Sequence, residues 1–245
     1  MGACQQICDG IYRIQGSRSN IYLVTNPGPL LIDTGMPGDE QVIARAMAEL
    51  GMAPRDLRAI CITHAHLDHI GALAEVKAAT GATIIAGLQE KEYIEGRRML
   101  CSMRREGLAG TIFKCILFVL EKFFQKYAPV QLDTAFSGHD GNAPLNGLDI
   151  LATPGHSLGS LSFYLPSKKA LFTGDALTGI PAPRLPLRAG CSNYASALES
   201  VRRMAALNAD ICLFGHGEPL AGGAAALVCE EGSLVCDAVA VRPTG

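Results

Sequence analysis

This 245-residue sequence has no long apolar run, no excess of either charge and no C-x-x-C pair, and each absence closes off a class of function. Its 21 basic and 23 acidic residues are interspersed, so no extended positive field exists to draw in nucleic acid or an anionic membrane. The opening MGACQQICDGIYRIQG lacks the continuous apolar stretch of a secretory signal. The nine cysteines are scattered, and Cys61, Cys115 and Cys212 sit in apolar runs where a thiol packs as a small hydrophobe. These features fit a cytoplasmic protein with reduced thiols. The most apolar stretch, TIFKCILFVLEKFFQKY, is uninterrupted only from Ile116 to Leu120, too short to span a bilayer.

Apolar residues make up 49% of the chain and charged residues 18%, enough to bury a sizeable core, and residues 1–245 are expected to form one domain. GIYRIQG, SNIYLVTN and GPLLIDTG read as successive strands with tight turns. In GDEQVIARAMAELG, Val42, Ile43, Ala46, Met47 and Leu50 recur at helical spacing. RAICIT then reads as a buried strand, HAHLDHIG as a polar loop, ALAEVKAATG as a helix and ATIIAG as another strand. Residues 88–130 break this rhythm and suggest a helical insertion. Strands resume in LDILATPG, SLSFYLP and KALFTGD. SNYASALESVRRMAALN follows as a helix capped by Ser192 or Asn193, ADICLFGH as the last core strand, and the remainder as a C-terminal helix. The class is α/β.

Only six histidines occur, yet three fall within His64-Ala65-His66-Leu67-Asp68-His69, in the turn after a buried strand. Imidazole and carboxylate are the N and O ligands of zinc and similar ions, at roughly 2.0 to 2.2 Å. A strand-end turn is also where α/β proteins place their chemistry. His139, in SGHDGN, reads as an exposed turn residue.

THAHLDHIGA resembles the TxHxHxDHxGG-like loop of the metallo-β-lactamase superfamily, with Ala72 in place of a frequent second glycine. LLIDTG, PGHSLGSLSFYL, LFTGDAL and LFGHGEP resemble that family's other motifs in the same order. The resemblance spans about residues 10 to 220 and implies a four-layer αββα sandwich of two mixed β-sheets. It further implies two divalent ions, most simply zinc, with iron or manganese also accepted by such ligands. His64, His66 and His156 would bind the first ion, and Asp68, His69 and His216 the second, with Asp175 bridging both. Asp33 would orient a metal-bound histidine by hydrogen bonding. The implied reaction is attack by a metal-bridging hydroxide on an ester-like carbonyl of a small acyl substrate, with Asp68 relaying a proton to the leaving group. Two divalent ions, two carboxylates and a hydroxide leave one net positive charge, which favours an anionic transition state.

Within the superfamily, the bridging Asp175 points away from true β-lactamases. Glyoxalase II enzymes share all seven ligands but carry a long C-terminal helical domain, where this sequence has 29 residues after His216. That tells against a glutathione thioester. Acyl-homoserine lactonases are similar in ligands and size, although a Tyr usual three residues after the bridging Asp is Thr178 here. The alternatives are a persulfide dioxygenase-like oxidoreductase with one iron held by two histidines and one aspartate and, further off, β-lactamase activity. The insertion suggests a homodimer contact through the helix expected over 113–127. If so, charged substitutions at Phe118 and Phe123 will lower the mass seen by size-exclusion with light scattering, and an unchanged mass and activity would end that expectation.

Overall fold

The computed structural model describes residues 2–26, 28–98, 111–112, 127–137, 147–180, 183–207 and 209–220, with the backbone of 141–142, 227–230 and 233–236. Strands β1 (Cys4–Cys8), β2 (Ile11–Gln15), β3 (Asn20–Val24) and β4 (Leu30–Ile32) pair antiparallel in chain order. Strands β5 (Ala59–Cys61), β6 (Thr83–Gly87) and β7 (Thr134–Phe136) then join in parallel, completing a mixed seven-stranded sheet. The second sheet holds β8 (Gly141–Asn142), β9 (Asp149–Ala152), β10 (Leu161–Leu165) and β11 (Ala170–Gly174) antiparallel, with β12 (Ile211–Phe214) parallel to β11.

Helices α1 (Glu40–Glu49) and α3 (Leu73–Thr80) cover the outer face of the first sheet; the short α2 (Leu67–Ile70) precedes α3, and the short α4 (Lys91–Ile94) follows β6. Helix α5 (Tyr194–Ala205) covers the second sheet, and Asn193 caps it by accepting the Ser196 N–H at 3.1 Å. Three apolar layers result. Ile43, Met47, Leu73 and Val76 pack on Ile14, Leu23, Ile60 and Ile84. Ile32, Cys61 and Ile85 face Phe163, Phe172 and Leu213 between the sheets. Val201 and Met204 of α5 pack with Leu171, Cys212 and Phe214. Because β4, β5 and β11 have both faces covered, each is a continuous buried run, as sheets sandwiched by helices require. This is the αββα arrangement expected from the motifs.

Several expectations need correction. HAHLDHIG is not simply a loop, since Leu67–Ile70 closes a turn of helix. Beyond residue 226 the described backbone is a strand pair, β13 (Leu227–Glu230) with β14 (Ser233–Cys236), rather than a helix. Val228 and Val235 are cross-strand partners there, and such β-branched residues suit a pleated ladder better than a helix. β1 and β7 were not anticipated; CQQIC has no alternation and lies at the sheet edge. Residues 99–110 and 113–126 lie outside the described residues, and with them most of the 88–130 insertion and the 113–127 helix. Among the described residues no helix is long and apolar enough to cross a membrane.

Phe163 is fully buried between the sheets opposite Phe172 on β11. Phe163→Ala is expected to cost about 3 to 5 kcal/mol in a denaturant titration, the range for deleting a buried ring. A loss below about 1 kcal/mol would mean the inter-sheet layer collapses to fill the gap.

Candidate metal centre

The parallel strands β4, β5, β11 and β12 deliver polar residues to one end of the sandwich. The β4–β5 ladder continues past Ile32 through the Asp33 N–H to Cys61 O at 3.0 Å, which sets Asp33 beside Thr63 and His64. On the other sheet, the Gly215 N–H donates to Gly174 O at 3.0 Å, so Asp175 and His216 leave neighbouring strand ends together. His156 follows β9. The sheets are tied at this end by the Asn20 N–H to Gly215 O at 2.7 Å and the Leu161 N–H to Thr63 O at 2.8 Å.

The turn of α2 is clamped by three hydrogen bonds. Thr34 donates both N–H and Oγ1–H to His69 O, at 2.8 and 2.9 Å, and Ser19 Oγ donates to Asp68 O. Asp33 sits at φ 60°, a left-handed conformation costing about 1 kcal/mol for a non-glycine residue, which Asp, like Asn, adopts more readily than most side chains. Its carboxylate is thereby aimed inward. Oδ1 accepts the Thr63 N–H at 2.8 Å, and Oδ2 accepts Thr63 Oγ1–H at 2.7 Å and lies 2.8 Å from His69 Nδ1. Thr63 Oγ1 is in turn 3.1 Å from His64 Nδ1. Close packing here demands glycine at 174, where a Cβ would stand 2.6 Å from Thr63 Cβ.

All seven residues singled out in the sequence converge. His64, His66, His156 and Asp175 place one donor atom each within 4.8 Å of one another, and Asp68, His69 and His216 do the same alongside. His66 Nδ1 lies 2.8 Å from His64 Nε2 and 3.0 Å from His156 Nε2. Asp175 stands between the groups. Its Oδ2 is 3.4 Å from both His156 Nε2 and His216 Nε2, and its Oδ1 is 3.5 Å from His69 Nε2. Asp68 Oδ2 is 3.3 Å from His216 Nε2. Tetrahedral bonds of about 2.0 to 2.1 Å imply ligand–ligand edges of about 3.3 Å, so these separations suit a shared cation.

Two buried atoms carry the fit further. Among the described residues, His69 Nε2 and Asp175 Oδ1 have no hydrogen-bond partner, a cost that a cation between them would remove. The donor set, five imidazoles and two carboxylates, is that of a divalent-cation site.

Burial holds the His64 imidazole well below its usual pKa, with His69 and His66 adding to the effect. For His69 burial works the same way but is outweighed by Asp33, Asp175 and Asp68, which push it up to about 9. Burial likewise opposes charging His216, yet Asp175 and Asp68 raise it to about 11. Burial raises the Asp68 and Asp175 carboxyls, and the surrounding imidazoles more than reverse this. Exposure is graded across the site. His64 and His69 are sealed, while the Asp68 and His216 side chains are 28% and 24% exposed, so the site meets water on the Asp68–His216 side.

Sequence reasoning missed Thr63, although it immediately precedes His64, and Glu90, which nothing in QEKEYIEG distinguishes from a solvated charge. Glu90 is 1% exposed. It also missed the brace behind His216: Arg13 reaches Glu218 at 2.6 and 3.0 Å and Asn20 at 2.8 Å, and Asn20 Nδ2 donates to Phe214 O and Gly217 O. His139 lies outside the described residues.

The model of the metallo-beta-lactamase superfamily matches residues 14–216, and the chain belongs to that superfamily. It is 26% identical over 239 residues to the probable metallo-hydrolase YflN of Bacillus subtilis, covering 90% of this chain and 89% of that protein. It is 28% identical over 189 residues to the hydroxyacylglutathione hydrolase GloC of Haemophilus influenzae, covering 76% and 79%. The crystal structure of the metallo-beta-lactamase family protein TTHA1429 from Thermus thermophilus superposes with a TM-score of 0.66 at 26% identity, covering 88% of this chain and 76% of that one. Membership supports hydrolase activity and implies divalent metal ions.

Metal ligation requires neutral imidazoles, whereas His69 and His216 hold protons at neutral pH in the metal-free chain. Metal uptake at pH 7.5 should therefore release protons, and affinity should rise with pH by about tenfold per unit for each proton displaced. Calorimetry in buffers of different ionisation enthalpy reads this directly; uptake without proton release would show that the carboxylates do not hold those imidazoles charged.

Proposed function

We propose that the chain is a dinuclear metal-dependent hydrolase acting on an ester-like carbonyl, in a thioester, lactone or related acyl substrate. The observation that carries the reading is Asp175, whose two oxygens reach both ligand groups at 3.4 to 3.5 Å. His64, His66 and His156 would hold one ion, Asp68, His69 and His216 the other, and Asp175 both, with zinc favoured by the nitrogen-rich set. When bound, such a pair supplies a hydroxide nucleophile at neutral pH and a Lewis acid for the carbonyl oxygen.

The protein's own groups do the rest. Asp33 locks the His69 ring and, through Thr63, the His64 ring, fixing which nitrogen of each points inward. His216 is oriented by Nδ1, 3.0 Å from Arg18 O. Asp68 lies on the water-facing side, where its carboxylate can take a proton during attack and hand it to the departing alcohol or thiol. No serine or cysteine nucleophile is called for.

GloC, by its name, hydrolyses hydroxyacylglutathione, and the similarity supports an acyl substrate here. Asp68→Asn should lower kcat by at least about 100-fold on whichever lactone or thioester is turned over, the usual contribution of a positioned proton carrier. A chelator should silence the wild-type enzyme, with zinc, manganese or iron restoring it. Full activity in folded Asp68→Asn protein of measured metal content would overturn this assignment.

A further inference from the structure

The two loops that present His64, His66 and His156 come from different sheets, and one buried side chain spans them. Glu90 ends a 3-10 turn, Leu88–Glu90, directly after β6. Its Oε2 accepts the N–H of Ala65, the residue between His64 and His66, at 3.0 Å. Its Oε1 accepts Ser157 Oγ–H at 2.7 Å and the Gly159 N–H at 2.8 Å, in the turn that begins at His156. Ser157 Oγ also meets Ser160 Oγ at 2.7 Å, which tightens that turn.

The close approach is built into the backbone. A Cβ at Gly87 would stand 2.0 Å from Gly159 O, so that position needs glycine, and one at Gly159 would press on Glu90 Oε1 at 2.7 Å. Glu95, the other buried glutamate nearby, pairs with Lys91 and Arg97 at 2.5 and 2.6 Å. Glu90 has no such cation among the described residues. All of its donors belong to the two ligand loops, whereas Asp68, His69 and His216 are held by Ser19, Thr34, Asp33 and Arg18 instead.

We infer that Glu90 is a positioning residue for one half of the centre: it latches the His64–His66 loop to the His156 turn and so sets the three-histidine face, leaving the Asp68–His69–His216 half to other supports. This rests on the two-ion reading above. A glutamine at 90 keeps the volume but turns an NH2 towards a backbone or hydroxyl donor, so one side of the latch must open.

The test is Glu90→Gln against wild type, titrated with Co2+ in the presence of a competing chelator and followed by absorption, with 1H–15N imidazole spectra of Zn2+-loaded protein assigning each site. The expected result is a 10- to 100-fold weaker affinity for the ion on His64, His66 and His156, the usual effect of losing an outer support. The ion on Asp68, His69 and His216 should stay within about twofold, as its supports are untouched. If Glu90→Gln does not fold, Ser157→Ala removes a single donor and should weaken the same ion by a smaller factor. Equal weakening at both halves, or none at either, overturns the inference while leaving the hydrolase reading intact. Wild-type protein that takes up neither Co2+ nor Zn2+ overturns both.

Discussion

The carboxylate of Asp33 is the hub on which the site is hung. At the end of β4, in a left-handed conformation, it accepts from the Thr63 backbone and hydroxyl and meets His69 directly. Without it, two buried imidazoles would lose their orientation and a buried amide its acceptor, each a desolvation cost of about 1 to 3 kcal/mol. One acidic group thus reaches behind both ligand groups, since Thr63 carries its influence to His64.

Around that hub the supports divide by sheet and by loop. Asp39 gathers the Ser17 N–H and Oγ and the Met36 N–H, fixing the β2–β3 and β4–α1 connections that touch α2. Arg13 and Asn20 brace the segment after β12. Glu90 joins the two loops of the three-histidine face. Buried polar groups are expensive unless satisfied, and these networks supply partners to the carboxylates, amides and hydroxyls that stand behind the centre. The sandwich supplies rigidity, and the strand ends supply chemistry.

The order of strands and helices was largely legible because the buried runs are short, contain β-branched or aromatic residues and are bounded by turn residues, and because α1 and α5 keep a helical period. β1 escaped because an edge strand need not alternate. The 67–70 turn escaped because its residues were read for their donor atoms, and the C-terminal strand pair because four-residue apolar runs do not distinguish helix from strand.

The sequence alone singled out the candidate donors: three histidines and an aspartate in six residues are local, and the other motifs recur in a recognisable order. What only the tertiary structure decided is which polar residues stand behind those donors. Asp33 and His69, Glu90 and Gly159, and Arg13 and Glu218 are far apart along the chain. Their pairing arises when parallel strands bring distant ends to one rim, and no local pattern of residues encodes which carboxylate will be buried there and which will remain in water.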